Sequence, residues 1–312
     1  MSLLSVQLSY GNLSRANLSC GNRSCAKQSV TILRPGAGMS DSPWLAAAIT
    51  LFLWWFSTGI ILWRVRVADN GTPHDHVKSV VLGLPLLVVG IAAAAASLPD
   101  LSPGGIYLAF LAALALWGWI ELAFLSGVIV GPNKQPCLPY LHGMERFWRA
   151  FGTIAWHEAL LFGTFVALGL VTIDAANSFA FGTFALLFIA RISAKLNQFL
   201  GVPLINTQLL PRPLAHLASY FRVSRISAFF PVSVTVLTVF SALLLERAIN
   251  VTQPGMTVGY SLLTCLALLA LLEHWFMVLP LPDEKLWRWM MPPRKTLSMK
   301  PQKDHLEDAN GL

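Results

Sequence analysis

Arg191, Lys195 and Asn197 stand in the second half of an otherwise apolar stretch, FAFGTFALLFIARISAKLNQFLG, residues 179–201. Arg191 and Lys195 are four positions apart, and with Gln198 they fall on one face of a helix. Cations fixed on one face can neutralise buried carboxylates, hold an anionic group or dock a partner. Other apolar stretches carry ionisable residues of their own: Glu121, the pair His157 and Glu158, and the pair Glu273 and His274. An ionised side chain in hydrocarbon costs roughly 2.5–3.5 kcal/mol on insertion scales, so each needs a partner or a task. Asn206 and His216, in the proline-punctuated segment after Lys195, extend the candidate set. Three readings follow. The charges form interhelical ion pairs that brace a bundle, with Lys195 snorkelling toward the interface. Alternatively they line a polar pocket, or a docking face for another membrane protein. A buried His157 or His274 could also ligate a chlorophyll magnesium instead of making a structural hydrogen bond.

The elements that must position these residues are long and apolar. Of 312 residues 55% are hydrophobic and 12% charged, about half the charged share of a soluble domain. Runs near 44–63, 79–98, 106–130, 152–173, 178–200, 226–245 and 258–280 each approach the ~20 apolar residues that a spanning helix needs. The expected fold is all-α: a polytopic membrane protein of seven transmembrane helices, each satisfying its own backbone in lipid. The net charge of +7 is not a nucleic-acid footprint, because its distribution follows the connections. Arg64, Arg66 and Lys78 fall after the first helix, Lys134, Arg146 and Arg149 after the third, and Arg191, Lys195, Arg212, Arg222 and Arg225 in the segment around 191–225. Lys285, Arg288, Arg294, Lys295, Lys300 and Lys303 lie in the tail. The alternate connections hold Arg247 alone. The positive-inside rule then puts the N-terminus outside and the C-terminus in the cytoplasm.

Three regions are expected: a leader over 1–38, a membrane domain over 39–282, and a partly disordered cytoplasmic tail over 283–312. The leader is rich in Ser and Asn, lacks a secretory apolar core and adds cations on the cation-poor side. Translation is therefore expected to start at Met39. Trp44 and Trp63 bracket the first helix at headgroup level. GIAAAAAS (90–97) offers a smooth face to a neighbouring helix, and Gly127 and Gly131 form a small-xxx-small pair at the end of the third. LAHLASYF (214–221) has apolar residues at helical spacing and is expected to lie in the inner interface, as is LWRWMMPPRK (286–295).

No nucleophile elbow, zinc-protease, phosphate-loop or desaturase histidine motif occurs. His74, Asp75 and His76 sit in what reads as a solvated loop with nothing nearby to complete a metal site. The cysteines have no metal-site spacing. The last helix has no lysine for a retinal Schiff base. Neither a repeat between halves nor a matched pair of broken helices points to a transporter. The chain is expected not to be an enzyme.

LFLWWFSTGIILW (51–63), WGWIELAFLSGVIVGP (117–132), GTIAWHE (152–158) and above all RISAKLNQFLGVPLINTQLLPRPLAHLASYF (191–221) resemble the PuhE family, photosynthetic complex assembly protein 2. The blocks cover nearly all of the membrane region, and Gln208 stands where the family pattern leads one to expect an acid. The resemblance implies a non-enzymatic assembly factor for the reaction centre and core light-harvesting complex of a purple-type phototrophic bacterium. It would reside in the cytoplasmic or intracytoplasmic photosynthetic membrane. Its partners would be subunits of those complexes or other assembly factors, along with membrane lipids, and no cofactor is required. A carrier or modulator of bacteriochlorophyll supply, and a small-molecule transporter, are the alternatives.

Overall fold

The computed structural model describes residues 39–207, 209–280, 285–288 and 292–293. The leader, Gln208 and the expected disorder at the end of the tail lie outside them. Ten α-helices carry the described chain: α1 (Pro43–Asp69), α2 (Pro73–Leu82), α3 (Leu84–Ser97), α4 (Pro103–Leu125), α5 (Gly143–Gly152), α6 (Ala155–Val171), α7 (Phe179–Leu200), α8 (Phe229–Asn250), α9 (Pro254–Trp275) and α10 (Lys285–Arg288). Short 3-10 helices cover Met39–Asp41 and Arg212–Tyr220. Among the described residues there is no strand, only an isolated bridge between Val202 and Val223.

Six helices are long and apolar enough to cross a membrane, α2 and α3 counting as one 25-residue span. A seventh span exists if α5 and α6, bent by 72° at their junction, are taken together. Large apolar side chains lie uncovered along the outside: Phe52, Phe56 and Ile60 on α1, Val88 and Ile91 on α3, Val232, Val236 and Val239 on α8. That belt suits hydrocarbon and would be costly in water.

α4 and α9 are the central helices, and their small residues allow close packing. Ala109, Ala112, Ala113 and Ala123 of α4 are essentially inaccessible. Gly90 brings α3 against Ala115 and Leu116 of α4, which places the smooth alanine face on a definite neighbour. One core joins α1, α4, α7, α8 and α9 around Ile106, Phe110, Val258 and Leu262. A second joins α3, α4, α6 and α7 around Leu116, Leu161 and Phe184.

Hydrogen bonds sort the connections onto two ends. At one, Asn177 donates to the carbonyls of Asp100 and Gly105, and its own carbonyl accepts the Phe179 N–H. Tyr107 reaches Ser40 at the same end. At the other, Asp69 accepts from the Arg212 N–H, Asn133 and Arg146 reach Tyr220, and Leu204 N–H donates to Met277 O. The cation-rich connections thus share one end, as the alternating pattern requires.

Several expected boundaries move. α1 runs to Asp69, so Arg64 and Arg66 are helical instead of in a loop. His74, Asp75 and His76 form the first turn of α2, where the Thr72 N–H donates to Asp75 Oδ2 at 2.7 Å; a proline at the first helical position and an acid three residues after the cap are both helix-start signals. α4 ends at Leu125, short of the expected 130, because Gly127 takes φ +72°. Its N–H bonds Phe124 O and the Val128 N–H bonds Ala123 O, the pairing by which a left-handed glycine closes a helix. Gly127 and Gly131 therefore do not form a helix-helix contact. Gly131 instead lies against the backbone of Gly152 and Thr153. Its neighbour Val130 O accepts from the first N–H groups of α6, those of Trp156 and His157. That insertion holds the corner between α5 and α6, a broken span absent from the sequence reading.

The expected interfacial helix also differs. Leu214, Leu217 and Tyr220 are buried and Leu214 and Leu217 pack under Phe124 and Val130, so the apolar side of Arg212–Tyr220 is covered by protein. The uncovered apolar face at this end belongs to α5, through Met144, Trp148 and Phe151. The Trp287 side chain in the tail docks on α1: its N–H donates to Trp55 O, and its ring meets Trp54 edge-on.

Candidate functional site

α7 gathers the charges because the residues that follow one another at helical spacing meet acids on different neighbours. Arg191 Nη2 donates to Glu121 Oε2 on α4 at 2.9 Å. One turn on, Lys195 pairs with Glu158 on α6 and stands over the Phe124 ring at 5.3 Å. The other oxygen of Glu121 lies 3.8 Å from His157 Nε2. The His157 ring is inaccessible, stacks on Phe124 at 4.1 Å, and has no hydrogen-bond partner at either nitrogen. Glu273 of α9 joins from the opposite side, accepting the Trp54 N–H at 2.7 Å.

Glu121, Glu158, Arg191, Lys195 and Glu273 border a cavity of about 730 Å³ between α1 and α7, walled by α4 and α9; His157 does not. Trp117, Phe110 and Leu186 line its depth, and Phe199, Tyr220 and Trp287 border its other end. Arg191 and Glu273 keep substantial uncovered surface, and both border the cavity. Gln198 and Asn206 border it too.

The remaining candidates go elsewhere. Asn197 is inaccessible and faces α8, donating to Ser233 Oγ at 2.9 Å and to Ser193 O. It is a link between α7 and α8, not part of a surface with Arg191 and Lys195. His274 Nδ1 lies 2.8 Å from Ala270 O and so carries the proton; its Nε2 accepts from Ser193 Oγ at 2.9 Å. Both ring nitrogens are thus engaged in hydrogen bonds, which fix the ring between α7 and its own helix. His216 is half-buried on Arg212–Tyr220, where burial and the nearby Lys134 cation lower its pKa. Among the described residues no three His, Cys, Asp or Glu side chains group as metal ligands, and Cys137 and Cys265 are free.

Sequence reasoning missed three contributors. Trp54 is the partner of Glu273; the signal was an indole N–H in mid-span, which must find an acceptor. Trp287 closes one end of the cavity from the tail. Arg146 of α5 donates to Phe199 O and Tyr220 O and stacks on the Phe199 ring, joining α5, the end of α7 and the 3-10 turn.

A sequence profile described as a protein of unknown function, DUF3623, matches residues 39–298. The chain is 55% identical over 252 residues to an uncharacterized 30.4 kDa protein in the puhA 5' region of Rhodobacter capsulatus. That alignment covers 81% of this chain and 92% of the relative. No solved structure matches.

Proposed function

We propose, from the premise that the chain belongs to the DUF3623 family, that it is a non-enzymatic assembly factor for photosynthetic membrane complexes. The observation that carries the reading is the place of its Rhodobacter relative beside puhA, within a photosynthesis gene cluster. Near full-length identity of 55% supports transfer of that setting to this chain. The finer statement belongs to the same proposal: the photosynthetic complex assembly protein 2 (PuhE) role, with reaction-centre and core-antenna subunits or other assembly factors as partners. The protein would reside in the cytoplasmic or intracytoplasmic membrane of a phototrophic bacterium, N-terminus out and cation-rich end in the cytoplasm. The paired charges of α4, α6 and α7 would shape the face used, and no cofactor or chemical step is required.

The test is the absorbance of membranes from an in-frame deletion strain, grown phototrophically and semi-aerobically, against its complemented parent. Lower reaction-centre and core-antenna bands with unaltered pigment precursors support assembly. A uniform change in total bacteriochlorophyll points instead to pigment supply, and unchanged bands point to transport. Arg191→Leu should lower the same bands while the protein still inserts.

A further inference from the structure

The cavity between α1 and α7 is larger than a bundle needs. Close-packed interiors leave few voids above the size of a water molecule, whereas about 730 Å³ falls within the range of sites that enclose a whole small molecule. Most of its wall is apolar or aromatic, with Trp54, Phe110, Trp117, Phe199 and Trp287 among the lining. Water alone would find few hydrogen bonds along such a wall.

The polar part of the wall is concentrated, and its bonding is incomplete. The ionisable groups with charge to offer are three carboxylates, Glu121, Glu158 and Glu273, against two cations, Arg191 and Lys195. Each cation already has a carboxylate. Glu273 accepts the Trp54 N–H through Oε1. Glu121 Oε1 and Arg191 Nε lack hydrogen-bond partners but are closed off from the cavity, so the groups open to a ligand are the Glu273 carboxylate and the uncovered part of the Arg191 guanidinium. An open carboxylate acceptor beside an open guanidinium calls for a head group that donates as well as accepts. An anionic head would meet a surplus of negative charge in a medium that screens it weakly.

We propose that this cavity binds a lipid-soluble amphiphile with an uncharged polar head, its hydroxyl or amide donor on Glu273 and an acceptor on Arg191. The apolar body, chain or ring, lies among the indoles. This inference is independent of the assembly reading: an occupied cavity and a deletion strain with normal complexes, or the reverse, are separable results.

Gly118 provides a way to fill the cavity without disturbing the bundle. A Cβ there meets only Ile61 Cδ1, at 3.7 Å, so Gly118→Leu extends into the space. Thr58→Phe fills it from α1 should the first variant not fold. The full chain, purified in mild detergent, is titrated with the monoglyceride of 9,10-dibromostearic acid and with the free acid. The two probes have the same chain, and bromine quenches nearby indoles. The expected result is saturable quenching by the monoglyceride at a concentration at least tenfold lower than for the acid, abolished in the filled variant. Glu273→Gln should reduce the preference for the neutral probe at least threefold. Equal, non-saturating quenching of wild type and filled variant overturns the proposal, as does tighter binding of the acid. Organic extracts of the purified protein separate the sources. A chromophore enriched over the filled variant identifies a ring-bodied ligand, and an enriched species without one identifies a chain lipid. No enrichment of any species overturns the proposal.

Discussion

At the scale of single residues, the ion pairs of α7 are matched to their acids by helical phase. Arg191 reaches forward to α4 and Lys195, one turn later, to α6. The Lys195–Glu158 pair is the more covered of the two, so its removal isolates the cost of a stranded charge. Lys195→Met should destabilise the protein by about 3 kcal/mol, at the low end for breaking a buried pair because the cavity leaves both groups partly uncovered. The double variant Glu158→Gln/Lys195→Met should recover most of that loss, since an uncharged replacement strands nothing. Denaturation midpoints in detergent measure both, and equal losses in the single and double variants would refute the pairing account. The sequence showed that acids, bases and imidazoles share similar positions along their spans. It could not show which met which, because partner choice depends on the rotation of each helix about its axis. Trp54 went unnoticed for the same reason: nothing local in WWFSTG aims its N–H at a glutamate more than two hundred residues away.

At the scale of elements, the apolar runs were legible and their ends were not. The run through Val128, Ile129 and Val130 reads as helix, yet a left-handed Gly127 closes α4 before it. Any Cβ on Gly127 would also strike the Pro213 side chain. Gly127→Ala should therefore cost about 1–3 kcal/mol, whereas Gly163→Ala in open space on α6 should gain about 0.5–1 kcal/mol. A reversed order of the two midpoints would remove glycine conformation as the reason for the boundary. α5 escaped notice because its charges fall between aromatic residues, which weakens hydropathy while leaving one apolar face intact. The turn Arg212–Tyr220 carries a pH prediction. Burial and Lys134 hold the His216 pKa below its ordinary value of 6.5, so the folded protein binds fewer protons than the unfolded chain as pH falls below about 6.5. Stability then rises with pH through the window between the folded and unfolded values. Wild type should lose midpoint relative to His216→Gln as pH is lowered from 7 toward 5, and parallel curves would rule out this residue as the cause. The tail has its own test. Trp287→Ala removes the bond to Trp55 and the edge contact with Trp54, and should speed trypsin cleavage after Lys285 or Arg288 several-fold.

At the scale of the whole molecule, the distribution of cations and the fold make one statement together. Among the described residues, the connections that carry Arg or Lys meet at the end where Asp69 bonds Arg212 and Arg146 bonds Tyr220, and Arg247 stands in the last turn of α8, away from them. This sharing of an end follows from alternation alone, and so the sequence could supply it before any helix was placed. Orientation across the membrane rests on a different argument, the asymmetric retention of Lys and Arg in the cytoplasm, and it is open to direct measurement. Cys137 lies in the connection after α4 and is half-buried, while Asp174 lies in the connection after α6 at the opposite end. In a background with the other cysteines replaced by serine, Asp174→Cys should react with a membrane-impermeant maleimide added to intact spheroplasts. Cys137 should react only after permeabilisation. The opposite pattern would put the cation-rich end, with α5, the 212–220 turn and the open carboxylate of Glu273 nearest to it, on the outer side. An assembly surface reached from the cytoplasm would then be untenable, whereas the cavity and its amphiphile would stand unchanged, since a ligand entering from lipid needs neither aqueous face.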